Sequence, residues 1–198
     1  MSSIEDIESL IKELNYYEEG ITRMIKYYMN SYTFKSNAEL KEAVKLWFEN
    51  QEECIKKYGH ISYWDVSNIT DMSNLFKDCQ EFNEDISRWD VSNVKDMNSM
   101  FEGCLKFNQK LNNWNVSNVK DMSYMFEGCE TFNQQLNNWN VSNVEKISFM
   151  FYGCETFNQQ LNNWDVSSVT NMSSMFYNCE LFNQDLNDWD VSNVENMK

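Results

Sequence analysis

Oxygen-bearing side chains recur at fixed spacing in this chain, and they are the first residues to consider for chemistry. The residue after each of six tryptophans is an aspartate or an asparagine, and a serine follows two positions later each time; the column is Asp65, Asp90, Asn115, Asn140, Asp165 and Asp190. Stacked oxygens of this kind could bind calcium, which needs six or more of them converging on one point. The alternative is a ladder of Ser, Asn and Asp hydrogen bonds that closes turns. The sequence has no glycine-rich calcium loop, which favours the ladder.

Two further polar columns have the same period. One is acidic in its first half and then changes, with the members Asp71, Asp96, Asp121, Lys146, Asn171 and Asn196. The change relieves the repulsion between carboxylates stacked one unit apart. The other is invariant, with the members Asn83, Asn108, Asn133, Asn158 and Asn183. Stacked amides can bond to each other and to turn carbonyls, so we interpret both columns as structural.

Catalytic constellations are missing from the sequence. His60 is the only histidine, and no Cys-His, Ser-His or metal-ligand set can be assembled around it. No nucleophile–base pair and no phosphate-binding loop occur. Five of the six cysteines share one position of the repeat, namely Cys79, Cys104, Cys129, Cys154 and Cys179, which predicts reduced packing thiols. We therefore predict a protein that is not an enzyme, with no catalytic residues, no metal site and no cofactor.

A period of 25 residues organises most of the chain. It is marked by Trp64, Trp89, Trp114, Trp139, Trp164 and Trp189, without an insertion or a deletion. The spacing Leu-x-x-Trp-x-Val predicts a short strand, and Val-x-x-Met-x-x-Met-Phe-x-x-Cys predicts a short helix or 3₁₀ segment. The expected fold class is α/β: a leucine-rich-repeat-like solenoid of about six 25-residue rungs, each with one strand and one short helix.

The residues before the repeats have helical patterns. Apolar residues at helical spacing predict helices over 4–18 and 21–30. Ser36 and Glu39 form a capping box that opens a further helix, and Gly59 is a suitable residue to end the helical region. A solenoid exposes apolar side chains at its ends, so a cap is expected. We assign residues 1–59 to a helical N-terminal cap region and residues 60–198 to the repeats.

The repeat string itself resembles a known family. The pattern Trp-Asp-Val-Ser-Asn-Val-x-x-Met-Ser-x-Met-Phe-x-x-Cys-x-x-Phe-Asn-x-x-Leu is similar to that of the BspA-like leucine-rich-repeat surface proteins. The resemblance covers about residues 36–198 and includes the lead-in from Glu39 to Trp47. It implies a leucine-rich-repeat-like solenoid with protein-binding or adhesive function and no catalytic residues.

Charge limits the partners. The formal net charge is −15, which would repel nucleic acid and anionic membrane surfaces. No apolar run is long enough for a membrane span. A protein partner is expected, and the charge leaves a basic one open.

The N-terminal sequence lacks a secretory signal, which predicts a cytoplasmic or virion-associated protein, with the cell surface as the alternative.

Variable columns of a repeat protein are where a partner can be recognised. Two such columns concentrate aromatic residues in the third to fifth repeats: Tyr124, Phe149, Tyr152 and Tyr177. Exposed aromatic residues are typical interface anchors. These four are our candidate partner-binding residues, and an ordinary half-exposed surface is the alternative. The predicted function is a non-catalytic scaffold for protein–protein binding, or else a structural or adhesive surface or virion component whose repeats act as a spacer.

The sequence stops within its sixth repeat, at Lys198. An uncovered repeat exposes apolar side chains and unpaired backbone groups. We expect end-to-end association of two copies, or a partner, at this place.

Overall fold

The computed structural model describes residues 17, 18, 20 and 31–198. Residues 17, 18 and 20 are helical, and otherwise the helices expected over 4–18 and 21–30 lie outside the described residues. Two α-helices follow, α1 (Asn37–Glu49) and α2 (Gln51–Tyr58), and then a 3₁₀ helix (Ile61–Tyr63). We number the repeats as units 1 to 6, which span 61–85, 86–110, 111–135, 136–160, 161–185 and 186–198.

Helix α1 begins where the capping pattern predicts. The Ser36 hydroxyl accepts a hydrogen bond from the Glu39 N–H (3.2 Å), and the Glu39 carboxylate accepts one from the Lys35 N–H (2.8 Å). The apolar side of the helix is buried at Leu40, Ala43, Val44 and Trp47. Helix α2 ends at Gly59, whose φ of 74° is open to glycine at little cost. Trp47 of α1 and Tyr58 of α2 each make an edge-to-face contact with Trp64 of the first unit.

The predicted α/β solenoid with one strand and one helix per rung is wrong. Within residues 31–198 the described structure has the two α-helices, the 3₁₀ helix and no β-strand. In place of paired strands, successive units are joined by isolated parallel bridges at Asp71, Asp96, Asp121, Lys146, Asn171 and Asn196. The 3₁₀ helix precedes Trp64 and does not recur in the later units.

Reverse turns replace both predicted elements. In the Leu-x-x-Trp half, the Trp139 N–H donates to the Leu136 carbonyl (3.0 Å), so this segment is folded rather than extended. In the other half, the Met150 N–H donates to the Ile147 carbonyl (3.2 Å). Positive φ angles at every fourth residue of that half, such as 57° at Phe149, interrupt both a pleated strand and an α-helix.

Backbone hydrogen bonds join each unit to the next. The N–H groups of every second residue donate to carbonyls one unit further along, as in Phe126 to Met150 (2.9 Å) and Phe151 to Met175 (3.0 Å). Equivalent residues therefore lie above one another and form columns. The Phe126 and Phe151 rings, for example, are 5.7 Å apart and 5° from parallel.

The core columns use their polar atoms as well as their apolar surface. The Trp139 indole N–H donates to the Leu111 carbonyl of the preceding unit (2.8 Å), and the Cys154 thiol to that of Phe126 (3.0 Å). The five cysteines of the repeat position are free thiols, as expected, and so is Cys54. One apolar cluster extends from Phe34 to Met175. The division at residue 59 stays a prediction.

Unit 6 is less buried than the units before it. Val191 and Met197 are 38% and 57% exposed, whereas their counterparts Val166 and Met172 are 1% and 7% exposed. The end-to-end association expected at this place stays a prediction.

Candidate binding surface

The four candidate residues form one continuous surface, which we call the aromatic cluster (Tyr124, Phe149, Tyr152 and Tyr177). The rings of Tyr124 and Phe149 stack with centroids 4.9 Å apart, and those of Tyr152 and Tyr177 stack at 5.0 Å. Phe149 and Tyr152 connect the two pairs, with centroids 5.7 Å apart and planes tilted by 42°. The structure therefore brings together every residue that the variable columns single out.

Tight turns position these rings. Phe149 is the third residue of the turn that the Met150 N–H closes onto the Ile147 carbonyl, and Tyr152 ends the next turn by donating its N–H to the Phe149 carbonyl (3.1 Å). The N–H groups of Tyr124 and Phe149 each donate to a serine carbonyl of the following unit, at 2.9 Å. The rings are thus carried on backbone that is bonded within and between units.

The backbone at two of these positions is unfavourable for an aromatic residue. The φ angles are 61° at Tyr124 and 57° at Phe149, in the left-handed region. Equivalent positions of units 1, 2 and 5 hold Asn74, Ser99 and Ser174, with the same positive φ. A residue with a Cβ atom loses about 1–2 kcal/mol in this conformation, and asparagine tolerates it better than most. Other units fill this column with small polar residues, so the turn does not need a ring at Tyr124 or Phe149.

The cluster is accessible from solvent. Tyr177 is 57% exposed, and Tyr124, Phe149 and Tyr152 are half-buried. Aromatic rings that are held in place and partly exposed bury much area on binding at a low cost in side-chain entropy. The arrangement is suited to binding a second molecule.

Carboxylates border the cluster on the side of unit 2. Tyr152 and Tyr177 continue a column whose earlier members are Lys77, Glu102 and Glu127. Lys77 pairs with Glu102, with 2.7 Å between the ammonium and a carboxylate oxygen. Burial raises the pKa of the Glu127 carboxyl, the charge of Glu102 adds to this effect, and Lys77 opposes it.

The sequence reasoning missed Glu127 as part of this surface. It treated the column as variable and singled out only its aromatic members. The available signal was the turn spacing, because Glu127 follows Tyr124 by three residues and precedes Tyr152 by one period. The Glu127 N–H donates to the Tyr124 carbonyl (3.1 Å), which fixes this proximity.

The column that follows tryptophan, to which Asp165 belongs, and the asparagine column both form hydrogen bonds that hold the turns. Asp165 accepts hydrogen bonds from the Ser167 backbone N–H (3.1 Å) and hydroxyl (2.6 Å), and these bonds lower the pKa of its carboxyl. Asn133 accepts from the Asn158 N–H of the next unit (3.0 Å), as expected for an asparagine ladder. Within residues 31–198 no group of three or more His, Cys, Asp or Glu side chains could hold a metal ion.

His60 lies at the junction of α2 and unit 1. Its ring is 5.0 Å from that of Trp47 in an edge-to-face contact, and its Nδ1 accepts from the Ser62 N–H (3.3 Å). Its Nε2 is 3.9 Å from a Glu84 oxygen. These contacts give the histidine a packing role at the start of the repeats.

None of the helices in the described part of the chain is long and apolar enough to span a membrane.

Comparisons with known proteins place the chain in a family. No curated protein and no solved structure matches the chain. One family model matches it twice, over residues 42–149 and 129–198, and its description is "Mycoplasma protein of unknown function, DUF285". Because these matches together cover most of the 198 residues, the chain belongs to the DUF285 family.

Proposed function

We propose that this protein is a non-catalytic scaffold that binds another protein through the aromatic cluster. The observation that carries the proposal is the unbroken contact of four rings across three units. Two of those rings occupy positions whose backbone favours asparagine or serine. Units 1, 2 and 5 adopt the same backbone with Asn74, Ser99 and Ser174, so the turn itself does not require a ring.

The distribution of roles among the columns supports this proposal. Trp, Phe, Met and Cys side chains are buried in the core, and the Asn and Asp columns are used by turns. The aromatic cluster is needed neither for the core nor for the hydrogen bonds of the turns. Tyrosine and other aromatic residues are enriched at protein interfaces, where a few of them supply most of the binding energy. The resemblance of the repeat to BspA-like surface proteins also favours a binding role.

Capture from a lysate of the native host tests the proposal. The test variant combines Tyr124→Asn with Phe149→Ser, since these residues occupy the same column in units 1, 2 and 5 and should fold there. The matched control is Asp165→Asn, because units 3 and 4 carry asparagine in that column. We expect proteins retained by the wild type and the control to be lost from the test variant. Equal retention by all three would contradict the proposal.

A structural or adhesive spacer is the second candidate. It is favoured by three exposed asparagines, Asn68, Asn115 and Asn140, each of which begins an Asn-x-Ser or Asn-x-Thr sequon. Mass spectrometry of the protein from its native source would separate the candidates. Glycans on these asparagines would favour a spacer on a cell surface, and bare asparagines would favour the binding scaffold.

A further inference from the structure

The half of the chain that carries the aromatic cluster has a strong excess of negative charge. Residues 111–198 contain eleven Asp and Glu residues but only three lysines, Lys120, Lys146 and Lys198, and no arginine. Two of the lysines are already paired: Lys120 with Glu145 at 3.1 Å and Lys146 with Asp121 at 3.4 Å. A partner bound here would meet carboxylates rather than free cations.

Glu127 is the carboxylate that the backbone places beside the rings. Its N–H donates to the Tyr124 carbonyl (3.1 Å), and the next N–H, that of Gly128, donates to the Tyr152 carbonyl (2.7 Å). Among residues 31–198, Glu127 forms no ion pair, because Lys77 pairs with Glu102. The Glu127 side chain is half-buried. It is therefore a partly desolvated carboxylate at the edge of the aromatic cluster.

Burial raises the pKa of Glu127, so its charged form is penalised in the free protein. An incoming cation would remove that penalty. Aromatic ring faces also attract cations, and tyrosine is among the rings that do so well. Arginine suits both features, because its planar guanidinium stacks on rings and forms paired hydrogen bonds with a carboxylate.

We infer that the aromatic cluster and Glu127 together bind an arginine side chain in a basic segment of the protein partner. This inference rests on the proposed function and specifies the chemistry of the partner. The guanidinium would lie against the face of the Tyr152 ring that Tyr177 does not cover, with the Glu127 carboxylate beside it.

Fluorescence polarisation with labelled peptides tests the inference on the full chain. The probes are a short arginine–glycine peptide, its lysine counterpart, and a counterpart in which neutral citrulline replaces arginine. We expect the arginine peptide to bind the wild type about tenfold more tightly than the citrulline peptide, as a cation–π contact with ion pairing implies. The lysine peptide should bind with intermediate affinity.

Variants separate a specific site from general attraction to an acidic protein. Glu127→Gln should weaken the arginine peptide several-fold, whereas Asp165→Asn, which removes one carboxylate elsewhere, should leave its affinity unchanged. Tyr152→Gln should weaken the arginine peptide while leaving thermal unfolding close to that of the wild type. Equal losses for Glu127→Gln and Asp165→Asn would show that only net charge matters and would overturn the inference.

The failure of this inference is distinguishable from that of the proposed function. If arginine and citrulline peptides bind equally and both are lost in Tyr152→Gln, the cluster binds peptide without reading its charge. In that case the inference is wrong and the proposed function stands. If no peptide binds any form of the protein, the inference is also wrong, and the capture experiment decides the proposed function by itself.

Discussion

The ring of Phe149 lies flat against that of Tyr124, with centroids 4.9 Å apart and planes 6° from parallel, although both residues have a positive φ. Stacking of this kind stabilises a pair by about 0.5–1.5 kcal/mol beyond the buried area. The left-handed backbone costs each residue about 1–2 kcal/mol. Asn74, Ser99 and Ser174 adopt the same backbone in their own units without a ring, so the fold does not require the aromatic stack at this position.

Replacing Phe149 by serine should lower stability only slightly. Serine occupies this position in units 2 and 5 with the same positive φ, so the backbone cost stays and only the ring contacts are lost. We expect the free energy of unfolding, measured in urea, to fall by about 0.5–1.5 kcal/mol. A loss of several kcal/mol would mean that the ring is part of the core.

Trp139→Phe should destabilise the protein clearly. Trp139 is 2% exposed, and its indole N–H is one of two donors to the buried Leu111 carbonyl, which also accepts from the Trp114 N–H (3.0 Å). Phenylalanine removes the indole donor and leaves the other, so the lost hydrogen bond should cost about 0.5–1.5 kcal/mol. Urea unfolding measures the effect, and Trp139→Ala should cost more, about 3–5 kcal/mol.

The matched control for this change is Trp189→Phe. Trp189 makes the same bond, to the Leu161 carbonyl (3.0 Å), but it is only partly buried. Water can then replace the lost donor, so the cost should be smaller. Equal costs at the two positions would argue against burial as the cause.

The cysteines should differ in reactivity with their position in the stack. The Cys129 thiol donates to the Phe101 carbonyl (3.1 Å), and burial raises its pKa well above the ordinary range. Cys79 and Cys179 are partly exposed, and burial raises the pKa of each to about 11. Because the thiolate is the reactive form, alkylation followed by mass spectrometry should label Cys79 and Cys179 first. Labelling of Cys129 before unfolding would contradict its burial.

Glu127 gives the stability a pH dependence of definite sign. Its pKa is raised in the folded state, so the protonated form is favoured there and stability falls as pH rises through the folded pKa. Glu127→Gln should therefore raise the unfolding temperature at pH 7, and this gain should vanish below the ordinary glutamate pKa of 4.5.

Asp165→Asn should change the unfolding temperature at pH 7 in the opposite direction. Hydrogen bonds from Ser167 lower the pKa of Asp165, so its carboxylate adds stability above its unfolded pKa, and this is lost as pH falls. The variant should unfold at a slightly lower temperature than the wild type at pH 7. A gain for both variants would show that the net charge of the chain, rather than each environment, controls stability.

The repeat period, together with the apolar type of its columns, is enough to predict most of the core and which surface residues of one column meet. Trp139, Phe151 and Cys154 are core residues, and Tyr124 and Phe149 touch, because residues one period apart lie above one another. The conformation of each unit does not follow from the period. Apolar residues three apart fit a helix and a reverse turn equally well, so the Ile147 to Met150 segment is ambiguous in sequence.

The Leu-x-x-Trp segment contains residues that favour a turn over a strand. Two asparagines, Asn137 and Asn138, separate Leu136 from Trp139, and asparagine is a common turn residue. The positive φ at Phe149 has no signal in its own side chain. It could be inferred only from Asn74, the unit 1 member of its column, whose type tolerates that backbone.

The central claim is that the aromatic cluster is the surface that meets a partner, and photo-crosslinking tests it most directly. A photoreactive phenylalanine analogue would replace Phe149 in cells of the native host, with the same analogue at Phe48, an exposed phenylalanine of α1 (46%), as the matched control. We predict a covalent adduct with another protein from position 149 and none from position 48. No adduct from position 149, or the same adducts from both positions, would contradict the account.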